Sequence, residues 1–151
     1  MRRTHVMSLP VLIVALASLA APTVEAGSRG SIEFTDTRTI GDTVGSATTS
    51  LAGCEEATTV DLRTHIAIMH GAPSAVDRVF VGIRDFQCDD DSGFVVRLTA
   101  KIPSEGDTSG TWSIVSSYGD LRGLRGTGGL VGTHFPGGVV DHYSGSITAH
   151  N

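Results

Sequence analysis

Three side chains stand where they could do chemistry inside a folded chain: Asp85, Asp141 and Tyr143. Asp85 alternates in phase with Val79, Val81 and Ile83, which would turn its carboxylate into a core and leave Arg84 facing solvent. Asp141 and Tyr143 stand in phase with Val139 and Ile147. A carboxylic acid buried in this way holds its proton more tightly and suits general acid or base work or a ligand contact. Phe80 and Phe86 have the parity opposite to Asp85, so the inner face of that segment stays open.

Other reactive groups lack the company that their chemistry requires. The chain has six histidines, His5 near its start and His65, His70, His134, His142 and His150 further on. A metal needs several ligands on one face at short range. His65 and His70 have opposite parity, and His142 and His150 are far apart, so no metal site is expected, and no cofactor. Asp89, Asp90 and Asp91 are consecutive, whereas a calcium loop spaces its acids alternately; a solvated turn closed by Ser92 and Gly93 fits them better. No serine sits in a G-x-S-x-G elbow, and the glycine-rich stretch lacks the G-K-[ST] ending of a phosphate loop.

Cys54 and Cys88 are the only cysteines. An even count in an exported chain predicts one disulfide between them. Export is read from the start of the chain: Arg2 and Arg3, an apolar run from Val6 to Ala21, then Val24-Glu25-Ala26 before Gly27. That order of parts predicts a signal peptide over residues 1–26, cleaved near Ala26, and a secreted, extracytoplasmic product with no membrane attachment. The apolar run is short of the roughly 20 residues that span a bilayer. The full chain carries −5; losing Arg2, Arg3 and Glu25 makes the remainder one unit more negative. Such a chain gains nothing from phosphate backbones, which excludes nucleic acid as an expected partner.

The elements that must position these groups are strands. Residues 27–151 suit a single domain, and none of its windows sustains a helical apolar period. Residues 31–40 set Ile32, Phe34 and Ile40 against Glu33, Thr35, Thr37 and Thr39; residues 59–70 set Val60, Leu62, Ile66 and Ile68 against Asp61, Arg63 and His65. Residues 79–88 and 94–102 form a hairpin, whose second arm places Phe94, Val96, Leu98, Ala100 and Ile102 on one face. A strand follows around Trp112, then a glycine-rich return interleaved with Leu121, Leu124, Leu130 and Val131, then a strand over 139–149. Glycines at that density mark bends and close backbone approach in a sheet that curls shut. The fold class expected is therefore all-β, a small closed antiparallel barrel of about eight strands, with a β-sandwich as the alternative.

Residues 110–132 read Gly-Thr-Trp-Ser-Ile-Val-Ser-Ser-Tyr-Gly-Asp-Leu-Arg-Gly-Leu-Arg-Gly-Thr-Gly-Gly-Leu-Val-Gly, and residues 143–147 read Tyr-Ser-Gly-Ser-Ile. This pattern resembles uncharacterised secreted bacterial β-barrel proteins and, distantly, the allene oxide cyclase and dirigent-protein barrels. Tyr118-Gly119-Asp120-Leu121 would occupy the family's turn and Leu124-Arg125-Gly126 its following strand, with Ser116 and Ser117 where those families pair glycines. The resemblance implies an eight-stranded barrel able to enclose a small apolar ligand; it carries over no catalytic residue. Two functions follow as expectations. One is a non-catalytic secreted module, with a dry and mostly aliphatic interior, that binds a small apolar ligand or a protein partner. The other is an isomerase or cyclase acting by confinement, with an open mouth and an acid or arginine inside. Oligomeric state is left open.

Overall fold

A computed structural model describes residues 29–68, 78–89, 91–103 and 105–149. The expected signal over 1–26 lies outside them, as do His5, His70, His150 and Asp90 of the acidic turn. The chain folds into eight strands: β1 (Arg29–Thr39), β2 (Val44–Thr49), β3 (Glu56–Ile68), β4 (Arg78–Cys88), β5 (Gly93–Ile102), β6 (Thr108–Tyr118), β7 (Leu124–Phe135) and β8 (Gly138–Ala149). Each pairs antiparallel with its sequence neighbour, and β8 returns to β1 along a ladder running from Arg29 opposite Thr148 to Thr39 opposite Gly138. The closed barrel expected from the alternation is what forms. Among the described residues no helix is long and apolar enough to cross a membrane.

Closure follows from side-chain parity. On β1 Ile32, Phe34, Asp36 and Arg38 point inward; on β5 Phe94, Val96, Leu98 and Ala100 do so. Alternate residues of a strand lie on opposite faces, so the outer wall receives Glu33, Thr35 and Thr37 from β1 and Arg97, Thr99 and Lys101 from β5. Ile40 does not join this core. The strand ends at Thr39, and Ile40 is exposed beyond it.

The face expected for β3 is corrected. Thr59 is fully buried while Leu62 and Ile66 are exposed. Asp61 pairs with Arg84 and Arg63 with Ile83, leaving Leu62 as an extra residue. This bulge reverses the alternation, so a uniform reading across residues 59–70 fails. The inner residues are Ala57, Thr59 and Asp61; beyond the bulge Thr64 and Ile66 stand opposite Gly82 and Phe80 in the ladder but are exposed, past the end of the packed core.

Two glycines let the widest interior ring lie against the wall. Trp112 stands opposite Gly128 in the ladder, and Gly128 opposite Gly145. A Cβ on Gly128 would lie 2.7 Å from the indole Nε1, and one on Gly145 2.7 Å from its Cζ2, with backbone atoms closer still. The indole N–H donates to Gly129 O at 2.9 Å. Overpacking of a filled core costs typically 1–3 kcal/mol. Gly128→Ala is expected to destabilise by about that amount in urea unfolding, with a shift in Trp112 emission, whereas Gly129→Ala, whose Cβ would meet nothing within 4 Å, leaves both unchanged.

The disulfide is present. Cys54, in the β2–β3 connection, bonds Cys88 at the end of β4, both buried, with their Cα atoms 5.2 Å apart. It ties that connection, with Leu51 inserted into the core, to the lower end of the barrel.

Candidate functional site

The interior has two halves. In the lower half Phe34 lies at the centre of a cluster of rings: stacked on Tyr143 at 4.3 Å between centroids, and edge-on to Trp112 at 5.0 Å, Phe86 at 5.1 Å and Phe94 at 5.9 Å. Phe86 and Phe94 stack at 4.9 Å. Offset and edge-to-face contacts at such distances add to the apolar burial that drives the core together. This ring cluster is set among aliphatic side chains, Ile32, Val96, Leu98, Ile114, Leu130 and Ile147, that are also buried in the core.

The upper half is ionic. Arg84 enters from β4 and is 3% exposed. Its Nε donates to Asp61 Oδ1 at 2.7 Å, and its Nη1 is shared among Asp36 Oδ2 at 2.5 Å, the Tyr143 hydroxyl at 2.9 Å and Asp141 Oδ2 at 3.1 Å. Arg38, from β1, donates through Nη2 to Thr59 Oγ1 at 2.8 Å, and Thr59 passes a hydrogen bond to Asp36 Oδ1 at 2.6 Å. Ion pairs from Arg38 reach Asp36 at 3.5 Å and Asp61 at 3.4 Å. Its buried Nε and Nη1 make no hydrogen bond among the described residues. Tyr143 joins the halves, its ring in the aromatic cluster and its hydroxyl on Arg84.

The backbone makes room for this network. A Cβ on Gly45 would lie 2.8 Å from Thr59 Oγ1 and 3.0 Å from Asp36 Oδ1, and one on Gly132 2.5 Å from Asp141 Oδ1. Phe80 lies back over Gly82, where a Cβ would be 2.6 Å from its ring, and the ring thus occupies the wall just beyond Arg84. At Gly45 and Gly132 the network occupies space that any larger residue would take from it, as the Phe80 ring does at Gly82.

Three carboxylates face two guanidiniums, so the cluster has one negative charge in excess when every group is ionised. Burial raises the Asp141 carboxyl above the ordinary carboxylate range; the charge and hydrogen bond of Arg84 oppose this, and the charge of Asp36 adds to it. For Arg84, burial lowers the affinity for its proton, but the charges of Asp36 and Asp61 and the hydrogen bond to Asp61 oppose this and the guanidinium stays charged. Burial likewise pushes the Tyr143 hydroxyl far up, so it remains neutral.

The sign for Asp141 runs against the usual one for a carboxylate. Folded protein binds this proton more tightly than unfolded protein, so the contribution is present below the unfolded carboxylate value and is lost as pH rises through the raised folded value. Asp141→Asn, which keeps the shape without the charge, is expected to remove that slope and to cost less at neutral pH than Asp36→Asn. Urea unfolding of both variants across the acidic range checks this; equal costs at neutral pH would contradict it.

The structure separates the three residues singled out from sequence. Asp141 and Tyr143 enter the network. Asp85 does not: Arg84 takes the inner face and Asp85 the outer, the reverse of the arrangement read from Val79, Val81 and Ile83. There Asp85 accepts from Gln87 Nε2 at 2.9 Å and from the Tyr118 hydroxyl at 3.1 Å. Tyr118 is pushed up to about 12, first by burial and then by the neighbouring Asp85. Asp36, Arg38, Thr59, Asp61 and Arg84 were missed. The legible signal was Asp36 and Arg38 sharing the parity of Ile32 and Phe34.

The described histidines do not converge. His134 bonds Thr108 Oγ1 at 3.0 Å, His142 bonds Thr35 Oγ1 at 3.3 Å, and His65 is exposed on β3. Among the described residues no three His, Cys, Asp or Glu side chains form a group that could hold a metal ion. Two depressions open on the outer wall, one over β1–β3 bordered by Thr35, Thr37, Ser46, Thr48 and Thr58, the other over β5–β7 bordered by Arg97, Thr99, Thr111, Ser113 and Thr127. Comparison with protein-family models, curated proteins and solved structures finds no match, so the reading of this site rests on its own geometry.

Proposed function

We propose that this chain is an extracytoplasmic, non-catalytic binding module whose barrel is a filled scaffold and whose recognition takes place on its outer surface. The observation that carries the reading is the occupied interior: interlocked rings pack the lower half, and the upper half holds an ion network in which Arg84 and the three carboxylates bond one another while Arg38 Nε and Nη1 find no hydrogen bond among the described residues. Ligand sites are concave and largely preformed. Here a small apolar molecule would have to displace Phe34, Tyr143 or Phe86 to enter. The buried disulfide is compatible with an oxidising compartment. Together with the signal-like residues 1–26 it supports secretion.

The alternative, an isomerase or cyclase of the allene oxide cyclase or dirigent type, draws support from the arginines and acids inside the barrel. Arg84, Asp36, Asp61 and Asp141 spend hydrogen bonds on one another, however, and beneath them the rings of Phe34, Tyr143, Phe86 and Phe94 pack where a confined substrate would sit. Native mass spectrometry of the mature exported protein tests the choice. The bare chain, two hydrogens lighter than its reduced mass, is expected; an apolar molecule released at fixed stoichiometry on denaturation would favour an interior site instead.

A further inference from the structure

The two depressions on the outer wall share their hydroxyls and differ in charge. The one over β1–β3 also takes Glu56 and Asp89 into its border and no cation. The one over β5–β7 takes Arg97 and no carboxylate, beside the hydroxyls of Thr99, Thr111, Ser113 and Thr127. It holds about 530 Å³, within the roughly 300–1,000 Å³ of small-ligand sites.

Strand register sets this second depression out as a grid. Arg97, Ser113 and Thr127 stand opposite one another on β5, β6 and β7, and Thr99, Thr111 and Gly129 form the next row. That row ends in open space, since a Cβ on Gly129 would meet nothing within 4 Å. Lys101 lies two residues beyond Thr99 on β5 and Arg125 two residues before Thr127 on β7, both exposed on the same outer face. Strands β5–β8 contain one acid, Asp141, and it points inward. Among the described residues Arg97 and Lys101 enter no ion pair. A chain of net charge −5 thus turns Arg97, Lys101 and Arg125 outward with no carboxylate between them. Charges further apart than about 8 Å are largely screened at physiological salt, so a ligand on this wall responds to these cations rather than to the net charge.

We propose, on the reading of this chain as a module that recognises through its outer surface, that the β5–β7 depression binds an acidic polysaccharide, a chain of sugars carrying carboxylates. The planar guanidinium of Arg97 presents paired N–H donors that match a carboxylate. Serine and threonine hydroxyls both donate and accept, as sugar hydroxyls do, so the remaining positions of the grid satisfy the ring that bears the carboxylate. Lys101 and Arg125 lie at diagonally opposite ends and receive the acids of neighbouring sugars. A neutral sugar leaves the three cations unanswered, and an acidic peptide brings carboxylates without the hydroxyls.

Calorimetric titration of the mature protein with oligogalacturonate at low salt should show saturable binding that weakens as salt is raised. Arg97→Gln is expected to weaken it about tenfold or more, with the circular dichroism spectrum and the thermal transition in place. Arg63→Gln, which removes an exposed cation of β3 outside the depression, should leave it unchanged. No binding, binding that survives Arg97→Gln, or equal binding of neutral maltohexaose or of polyglutamate overturns the proposal. None of these results touches the interior, so the filled barrel would outlast them; an apolar guest released in native mass spectrometry is what would sink the outer-surface reading itself.

Discussion

Replacing Arg84 with methionine is expected to cost about 3–5 kcal/mol, enough to unfold much of the population of a small domain at moderate temperature. The size follows from what remains. Arg84 is the donor on which Asp61, Asp36, Asp141 and Tyr143 converge, and it is nearly fully buried. Without it three carboxylates face Arg38 alone. A buried pair is worth little against a well-packed apolar substitute, but removing one partner leaves uncompensated charge in a medium that cannot solvate it. The triple variant Arg84→Met, Asp36→Asn, Asp61→Asn should recover part of the loss, because the orphaned charges leave with the arginine. Urea unfolding monitored by circular dichroism separates the cases. A cost below about 1 kcal/mol for Arg84→Met, the value of a surface ion pair, would show that water reaches the network freely.

Converting both Cys54 and Cys88 to alanine is the second large effect. The bond joins residues separated by 34 positions. In the chain-entropy model a loop of this size stabilises by about 3–4 kcal/mol through the unfolded state. Because Cys54 and Cys88 are also buried in the core, alanine adds a modest packing loss. The unfolding midpoint should fall accordingly, and wild-type protein treated with reductant should fall with it, while the reduced double variant shows no further change. A midpoint indifferent to reductant in the wild type would mean that the bond contributes nothing to stability.

Much of the barrel was legible because its strands are solvated on one side. β5 alternates Phe94, Val96, Leu98 and Ala100 with Val95, Arg97, Thr99 and Lys101, and the water-facing parity names the inner one. On β4 both parities carry apolar residues, Val79, Val81 and Ile83 on one and Phe80 and Phe86 on the other, so counting hydrophobic side chains does not decide. The tertiary answer turns on volume: the aromatic parity faces inward, and Gly82 on that face leaves room for Phe80. The bulge at Leu62 leaves no mark in composition, and without it β3 reads as one continuous face. β2, Val-Gly-Ser-Ala-Thr-Thr, is too short and too polar to stand out, and only its pairing with β1 and β3 makes it a strand.

The candidate site was half legible. Asp141 and Tyr143 announce themselves by standing in phase with Val139 and Ile147 on a single strand. Their partners come from β1, β3 and β4, and nothing short of the ladder registers brings Asp36 opposite Asp141 or Arg84 opposite Asp61. The sequence does state the parity of Asp36 and Arg38. It does not state that polar side chains on four strands meet at one level of the barrel, which is a property of closure.

The proposed filled interior can be tested with a reporter that the chain itself carries. Trp112 is the only tryptophan, 3% exposed and in edge contact with Phe34. Any molecule entering the lower half must move the rings around it. Trp112 emission, titrated with a long-chain fatty acid and with a naphthalene sulfonate dye, is predicted to stay fixed in wavelength and intensity. A saturable shift at one molecule per barrel would contradict the filled interior and return the protein to the class of ligand-enclosing barrels.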